Sequence, residues 1–279
     1  MKHESFGALG VNYAPCRYAH SKLNFRGPKR SLDQGYIACI GDGATYGKFV
    51  RTPFPAMLEQ ELGRKCVNLG IPHAGIDAFV KDTSVMSICE GADAVVLQVS
   101  EVQNMSNRFY RVHPRRNDRF IAASSVLKVL FPNIDFTEFD FTRHLLARLR
   151  SAEPEKFGIV EAELSQAWTA RMRTLLSHFG DRAVIVSVPP MQRASGSIEV
   201  TSTLLSGFKD IARDIVEVTP LTANTTEGME YSAVDLDQAL CFPNPRIHAE
   251  ICEAVASKLL PRLQTKKART VFARASGGV

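Results

Sequence analysis

The run Ala-Asp-Ala-Val-Val-Leu-Gln-Val-Ser at residues 92–100 constrains the fold more than any other stretch. Its middle is continuously apolar and β-branched, without the alternation of a strand that has one wet face. A run of this kind needs cover on both faces, as in a parallel sheet between two layers of helices. Four more runs are similar: YIACI (36–40), CVNLG (66–70), AVIVSVPP (183–190) and IVEVTP (215–220). Each stops at glycine, proline or a polar turn.

Helix-spaced segments lie between them. FPAMLEQELG (54–63) has Pro55 at its start and Gly63 at its end, as helix termini favour. Residues 75–91 carry Ile76, Phe79, Val80 and Met86 at helical spacing. Phe157, Val160, Leu164, Trp168, Met172, Leu175 and Phe179 form the clearest stripe, over 156–179. Further helices are expected from about Thr137, near 199–213, and after Pro245, with Ile247, Ile251, Val255 and Leu259 on one face. Residues 101–135 read as a long polar connection.

Alternating strands and helices imply right-handed crossovers. The predicted fold is therefore α/β, a doubly wound, flavodoxin-like five-stranded parallel sheet in the order 2-1-3-4-5, in three α/β/α layers. Residues 1–35 read as an irregular N-terminal arm, 36–262 as the α/β domain and 263–279 as a basic C-terminal tail. Ligands of such sheets bind at the carboxyl ends of the strands, where the strand order reverses. That puts residues 41–45, 70–75, 100–107 and the loop before His248 at one edge.

The order of these loops resembles the SGNH, or GDSL-like, hydrolases, a superfamily with G-D-S-x-T-x-G after its first strand, a glycine after the second, G-x-N-D after the third and D-x-x-H ahead of the last helix. Here the first turn is GDGATYG, which keeps Gly41, Asp42, Thr45 and Gly47 but has Gly43 at the place of the nucleophilic serine. Gly70 of NLGIPHAG matches the second glycine. Asn104 of VQN matches the oxyanion asparagine, with Val102 and Met105 in place of glycine and aspartate. His248 of PRIH matches the base, with Pro245 in place of its aspartate. The whole chain is also similar to an uncharacterised bacterial SGNH-like family, through TYGKFVRTPFP, NLGIPHAGIDAF and QNMSNRFYRVHPRRNDRF.

Acyl transfer needs a nucleophile, a base and oxyanion donors. The resemblance leaves His248 as base, with Asn104 and the backbone at Gly43 and Gly70 as donors. Three readings follow: a degenerate pocket that binds without cleaving; attack by Thr45 or Asp42; or water activated by His248 with a carboxylate such as Glu250, Asp235 or Asp237. Taken alone, His248 near a helix start is more often a surface or capping residue. Taken alone, Asn104 reads as a turn residue; His73 stands in a predicted site loop, with a tight turn as its plain alternative. Gly43 is expected to leave a small hollow where a ligand approaches the main chain.

NRFYRVHPRRNDRF (107–120) is the second chemical feature. Its guanidinium forks suit phosphate, sulfate or carboxylate, so Arg108, Arg111, His113, Arg115 and Arg116 are the candidate anion-binding set. The plain alternatives are a solvated basic loop or the interface of a homo-oligomer. No P-loop, G-x-G-x-x-G or metal-ligand spacing is present, so no cofactor and no metal are expected. The net charge of +5 is mild and no nucleic-acid module is recognisable, so no specific nucleic-acid partner is expected. The expected partner is a small anionic or carbohydrate ligand. Six cysteines without C-x-x-C spacing, no membrane-length apolar run and no apolar leader point to a cytoplasmic chain away from membranes.

Overall fold

The computed structural model describes residues 10–192 and 195–276. The described residues form seven strands: β1 (Tyr36–Gly41), β2 (Lys65–Gly70), β3 (Ala94–Gln98), β4 (Tyr110–His113), β5 (Arg116–Ala123), β6 (Ala183–Ser187) and β7 (Asp214–Glu217). The helices are α1 (Gly43–Tyr46), α2 (Phe54–Leu62), α3 (Ile76–Val80), α4 (Thr83–Gly91), α5 (Ser125–Leu130), α6 (Thr142–Ala152), α7 (Pro154–Phe179), α8 (Ser202–Ser206), α9 (Leu236–Ala239) and α10 (Pro245–Ser276).

The main sheet has the order β2-β1-β3-β6-β7, and every neighbouring pair in it is parallel. These are the five expected strands in the expected order. The numbering differs because β4 and β5 form a separate antiparallel hairpin inside the stretch that reads as a polar connection.

Alternate residues of each strand enter opposite cores. Ala38, Ile40, Val67, Leu69, Val95, Leu97 and Ile185 face one side, packed with the α7 stripe of Leu164, Trp168 and Met172. Ile37, Cys39, Cys66, Val96, Val184 and Val186 face the other, packed with Phe54 and Leu58 of α2 and Ile247, Ile251 and Val255 of α10. The sheet is thus the middle of three layers, which explains its unbroken apolar runs.

Several expected helices are divided or shortened. The segment 75–91 breaks at Asp82, whose side chain accepts from the backbone N–H of Ser84 and Val85 and so starts α4. Helix from Thr137 is replaced by a single 3-10 turn, Phe136–Glu138, before α6. The segment near 199–213 holds only α8, which Thr201 caps.

The described part of the N-terminal arm is woven into the domain. Arg26, 6% exposed, donates to the carbonyls of Gly47 (2.6 Å), Tyr46 (3.2 Å) and Arg51 (2.7 Å). Tyr13 Oη accepts from the Phe49 N–H at 2.9 Å. The arm therefore clamps the chain just after α1. All six thiols are free. Among the described residues, no helix is long and apolar enough to cross a membrane.

Candidate functional site

The strand order reverses between β1 and β3, and the turn after β1 is built there. Asp42 caps α1 by accepting from the Ala44 N–H at 3.0 Å. Gln98, at the end of β3, reaches across with Oε1. It accepts from the Asp42 N–H (3.0 Å), the Thr45 N–H (3.3 Å) and the Thr45 hydroxyl (2.9 Å), while its Nε2 donates to the Val99 carbonyl. Thr45 is fully buried, so its hydroxyl proton is engaged inside the protein. Burial raises the Asp42 carboxyl, and the bonds to Ala44 and Gln98 oppose that rise.

Gly43 does not open a hollow. An ideal Cβ placed on it would stand 2.1 Å from Cε1 of Phe242, so the phenyl ring occupies the space of a side chain at this position. The expectation of close ligand approach is corrected here: an aromatic ring from the loop before α10 makes that approach instead. Gly70 serves packing. Its N–H donates to Asn68 Oδ1 at 2.9 Å, and a Cβ on it would lie 2.2 Å from the Tyr46 nitrogen.

The His248 side chain makes no hydrogen bond to this turn among the described residues. Asn244 Oδ1 accepts from the Ile247 N–H at 3.0 Å, and the following turn carries His248 inward beside Ile247 and Ile251. Its ring is fully buried, stacks on Phe54 at 6.2 Å and accepts the Phe54 N–H at Nδ1 (3.2 Å). Nε2 is buried without a hydrogen-bond partner. Burial, then the charge of Arg26, pushes the imidazole down to about 3. Glu250, a candidate carboxylate for it, accepts instead from Leu221 and Thr222.

Asn104 belongs to a different set. Its Nδ2 donates to Glu101 Oε2 at 2.9 Å and its Oδ1 accepts from the Thr142 hydroxyl at 2.8 Å. None of these is a partner of His248. Glu101 is open to solvent yet recessed among protein atoms. That desolvation, followed by the charge of Asp42, pushes its carboxyl up, while Asn104, Ser197 and Arg143 oppose it. Cys241 shares this neighbourhood; burial raises its thiol above the ordinary range, with Arg143 opposing.

On the other side of Phe242 lies a cavity of about 480 Å³. Lys22, Lys48, His73, His113, Arg115 and Arg116 line it, so basic groups converge from the arm, from the chain after α1, from the loop after β2 and from the β4–β5 turn. His113 Nδ1 accepts from the backbone N–H of Arg115 (3.3 Å) and Arg116 (3.2 Å), which closes that turn and leaves Nε2 as the donor of the neutral ring. His73 has φ of 62°, an unusual left-handed value for a non-glycine residue, and meets Phe242 edge-on at 6.3 Å. Lys48 Nζ lies 4.8 Å from the Phe49 ring centroid and 5.5 Å from that of Phe242.

The cations of the cavity press on one another. Burial lowers Lys48, Asp235 opposes, and Arg116 lowers it further. Burial lowers His73 against the pull of Asp118, and Lys48, Arg116 and Arg143 add to the lowering. Asp118 is the nearest carboxylate, yet it stands 4.0 Å from both His73 Nδ1 and the Arg116 guanidinium.

The candidate anion set is thereby divided. His113, Arg115 and Arg116 line the cavity. Arg111 is exposed on β4, on the face opposite Tyr110 and Val112. Arg108 lies 4.0 Å from Glu163 of α7, beside a separate hollow with Val129 and Ile159. Lys22, Glu101 and Phe242 carry no motif in the sequence, and Lys48 stands in TYGKFVRTPFP with no chemical role read from it; only the folded loops bring them to the site.

A family model described as a domain of unknown function, DUF6473, matches residues 1–264. No curated protein matches the sequence. Among solved structures, the lipase Lip_vut3 from a goat rumen metagenome is similar at a TM-score of 0.44 and 10% identity, over 80% of this chain and 97% of that one. A putative lipolytic protein of the G-D-S-L family from Desulfitobacterium hafniense is similar at 0.41 and 14%, over 80% and 99%. The acetyl xylan esterase Est2A from Butyrivibrio proteoclasticus is similar at 0.42 and 11%, over 87% and 67%. Identities this low place no side chain of those proteins on a side chain here.

Proposed function

We propose, from the premise that the chain belongs to the DUF6473 family, that it is an SGNH-hydrolase-like protein with a degenerate site, one that binds an anionic ligand without serine-based hydrolysis. The observation that carries this reading is the Phe242 ring in the side-chain space of Gly43. Acyl transfer needs a nucleophile whose proton a nearby base removes. Position 43 offers neither a side chain nor room for one. Thr45 donates to Gln98 from full burial, and Asp42 caps a helix.

The alternative, an esterase or acyltransferase on acylated carbohydrate that uses a non-serine nucleophile or His248-activated water, has no comparable support. A general base must reach the proton it abstracts and work near the ambient pH. His248 is sealed from solvent with its imidazole at about 3. On our reading His248 is structural, holding the start of α2 against α10, and Asn104 fixes Glu101 and Thr142.

The anion part of the reading is supported by the cavity that gathers Lys22, Lys48, Arg115 and Arg116. Such forks and ammonium groups favour a multiply charged oxyanion. The test combines a fluorophosphonate probe with thermal melts in sodium sulfate against sodium chloride at equal ionic strength. Absent labelling and a sulfate-specific rise in Tm are expected. Stoichiometric labelling would overturn the noncatalytic half, and equal melts in both salts would overturn the anion half.

A further inference from the structure

The cavity beside Phe242 has features that distinguish among anions. Its volume of about 480 Å³ lies within the roughly 300–1,000 Å³ typical of small-molecule sites. Its basic groups come from separate segments: Lys48 after α1, His73 after β2, and Arg115 and Arg116 at the hairpin turn. Neutral amides complete the wall at Asn24 and Gln238. Asn24 Oδ1 accepts from Arg17 Nε at 2.7 Å, which fixes the amide and leaves its NH2 as the group on offer. An amide is suited to hydroxyl groups, because it donates through nitrogen and accepts through oxygen.

Lining by phenylalanine, tyrosine or tryptophan is lacking among the described residues of this wall, which is otherwise Leu23, Ile71 and Pro72. Bases are usually held by stacking on such rings. Phe242 and Phe49, which contact the lining residue Lys48, are engaged with it and with each other. The wall therefore matches a polyol bearing a tetrahedral oxyanion better than it matches a nucleoside.

We infer that the cavity is a binding site for a small sugar carrying a phosphate or sulfate monoester. Lys48, Arg115, Arg116 and the His73 ring hold the ester anion, and the amides of Asn24 and Gln238 meet the sugar hydroxyls. The inference rests on the noncatalytic reading above and adds the ligand class.

Calorimetric titration with sodium sulfate, glucose 6-phosphate, glucose 6-sulfate, glucose and AMP, at one ionic strength, tests it. The two sugar esters should bind at least tenfold more tightly than sulfate, glucose should give no heat, and AMP should bind no better than sulfate. Arg116→Ala and Lys48→Met should weaken sugar esters and sulfate alike. Asn24→Ala and Gln238→Ala, both at the surface of the fold, should weaken the sugar esters tenfold and leave sulfate unchanged. Sugar esters no tighter than sulfate, with no ester hydrolysis, would overturn the inference and leave the noncatalytic reading standing. AMP tighter than both sugar esters would also overturn it, in favour of a nucleotide site. Rapid hydrolysis of p-nitrophenyl acetate would overturn both.

Discussion

The Phe242 ring and Gly43 occupy complementary space: a Cβ on Gly43 would lie 2.1 Å from Cε1 of the ring. The two residues lie far apart in sequence and meet at the switch point of the sheet. Small and large have been matched as in a core contact.

That contact predicts a coupling. Gly43→Ser forces the ring or the turn to move, so it should destabilise the protein by about 1–3 kcal/mol, the usual cost of overpacking. Phe242→Ala should also destabilise. The double variant should be more stable than the sum of the two losses, by about 0.5–3 kcal/mol, as contacting pairs are. Urea denaturation of the four proteins measures the cycle. Strict additivity would show that the two side chains do not share this space.

His248 predicts a pH dependence of stability. Its folded imidazole sits at about 3, below the ordinary value of 6.5. The unfolded chain therefore takes up a proton below about pH 6.5 that the folded chain refuses. The resulting stability is complete above pH 6.5 and is lost as pH falls toward 3, at up to about 1.4 kcal/mol per pH unit. His248→Gln should lower stability at pH 7 and remove most of that slope. A slope unchanged in the variant would place the sensitivity elsewhere.

The pattern of legible and hidden features has a physical basis. Strands β1 and β3 are visible in the sequence because both of their faces are covered and every position is buried, and β2 and β6 because most of theirs are; the edge strand β7, with Glu217 exposed, shows only through its short apolar run. The β4–β5 hairpin is hidden because one of its faces is wet: Tyr110 and Val112 are buried, while Arg111 and Arg116 are exposed. Its arginines read as loop chemistry, and in part they are, since Arg115 and Arg116 reach the cavity and Arg108 and Arg111 do not. His248 looks like a base because spacing before the last helix is all that a motif offers. The helix begins at Pro245, which turns residue 248 inward with Ile247. Phe242 and Lys22 have no local signature, and Lys48 lies in the TYGKFVRTPFP stretch without a role there, because their significance arises only from contacts between separate segments.

The cavity predicts a proton-linked affinity. His73 is held below its ordinary value by burial, and Lys48, Arg116 and Arg143 reinforce this against Asp118. A bound dianion favours its charged form, so binding takes up a proton. Sulfate, which does not titrate in this range, should bind more tightly as pH falls below 7, by at most about tenfold per pH unit for one linked proton. His73→Asn should flatten the profile measured by calorimetry. A wild-type affinity constant between pH 5.5 and 8 would remove His73 from the site.

Arg115 and Arg116 are exposed, and Arg116 meets Asp118 only at 4.0 Å. Replacing both with alanine should therefore change the unliganded stability by less than about 1 kcal/mol, the scale of a surface ion pair. The gain from sulfate, about 2.7 kcal/mol at 100 times its dissociation constant, should largely vanish. Early unfolding of the double variant without sulfate would make these arginines structural.

On the proposed reading, the turn after β1 presents a filled position and not a nucleophile. Active-site titration with p-nitrophenyl acetate at stoichiometric protein tests it most directly. The account predicts no burst of nitrophenolate and no steady rate above buffer, in the wild type and in Thr45→Val alike. A burst approaching one equivalent, abolished by Thr45→Val or by Asp42→Asn, would contradict it.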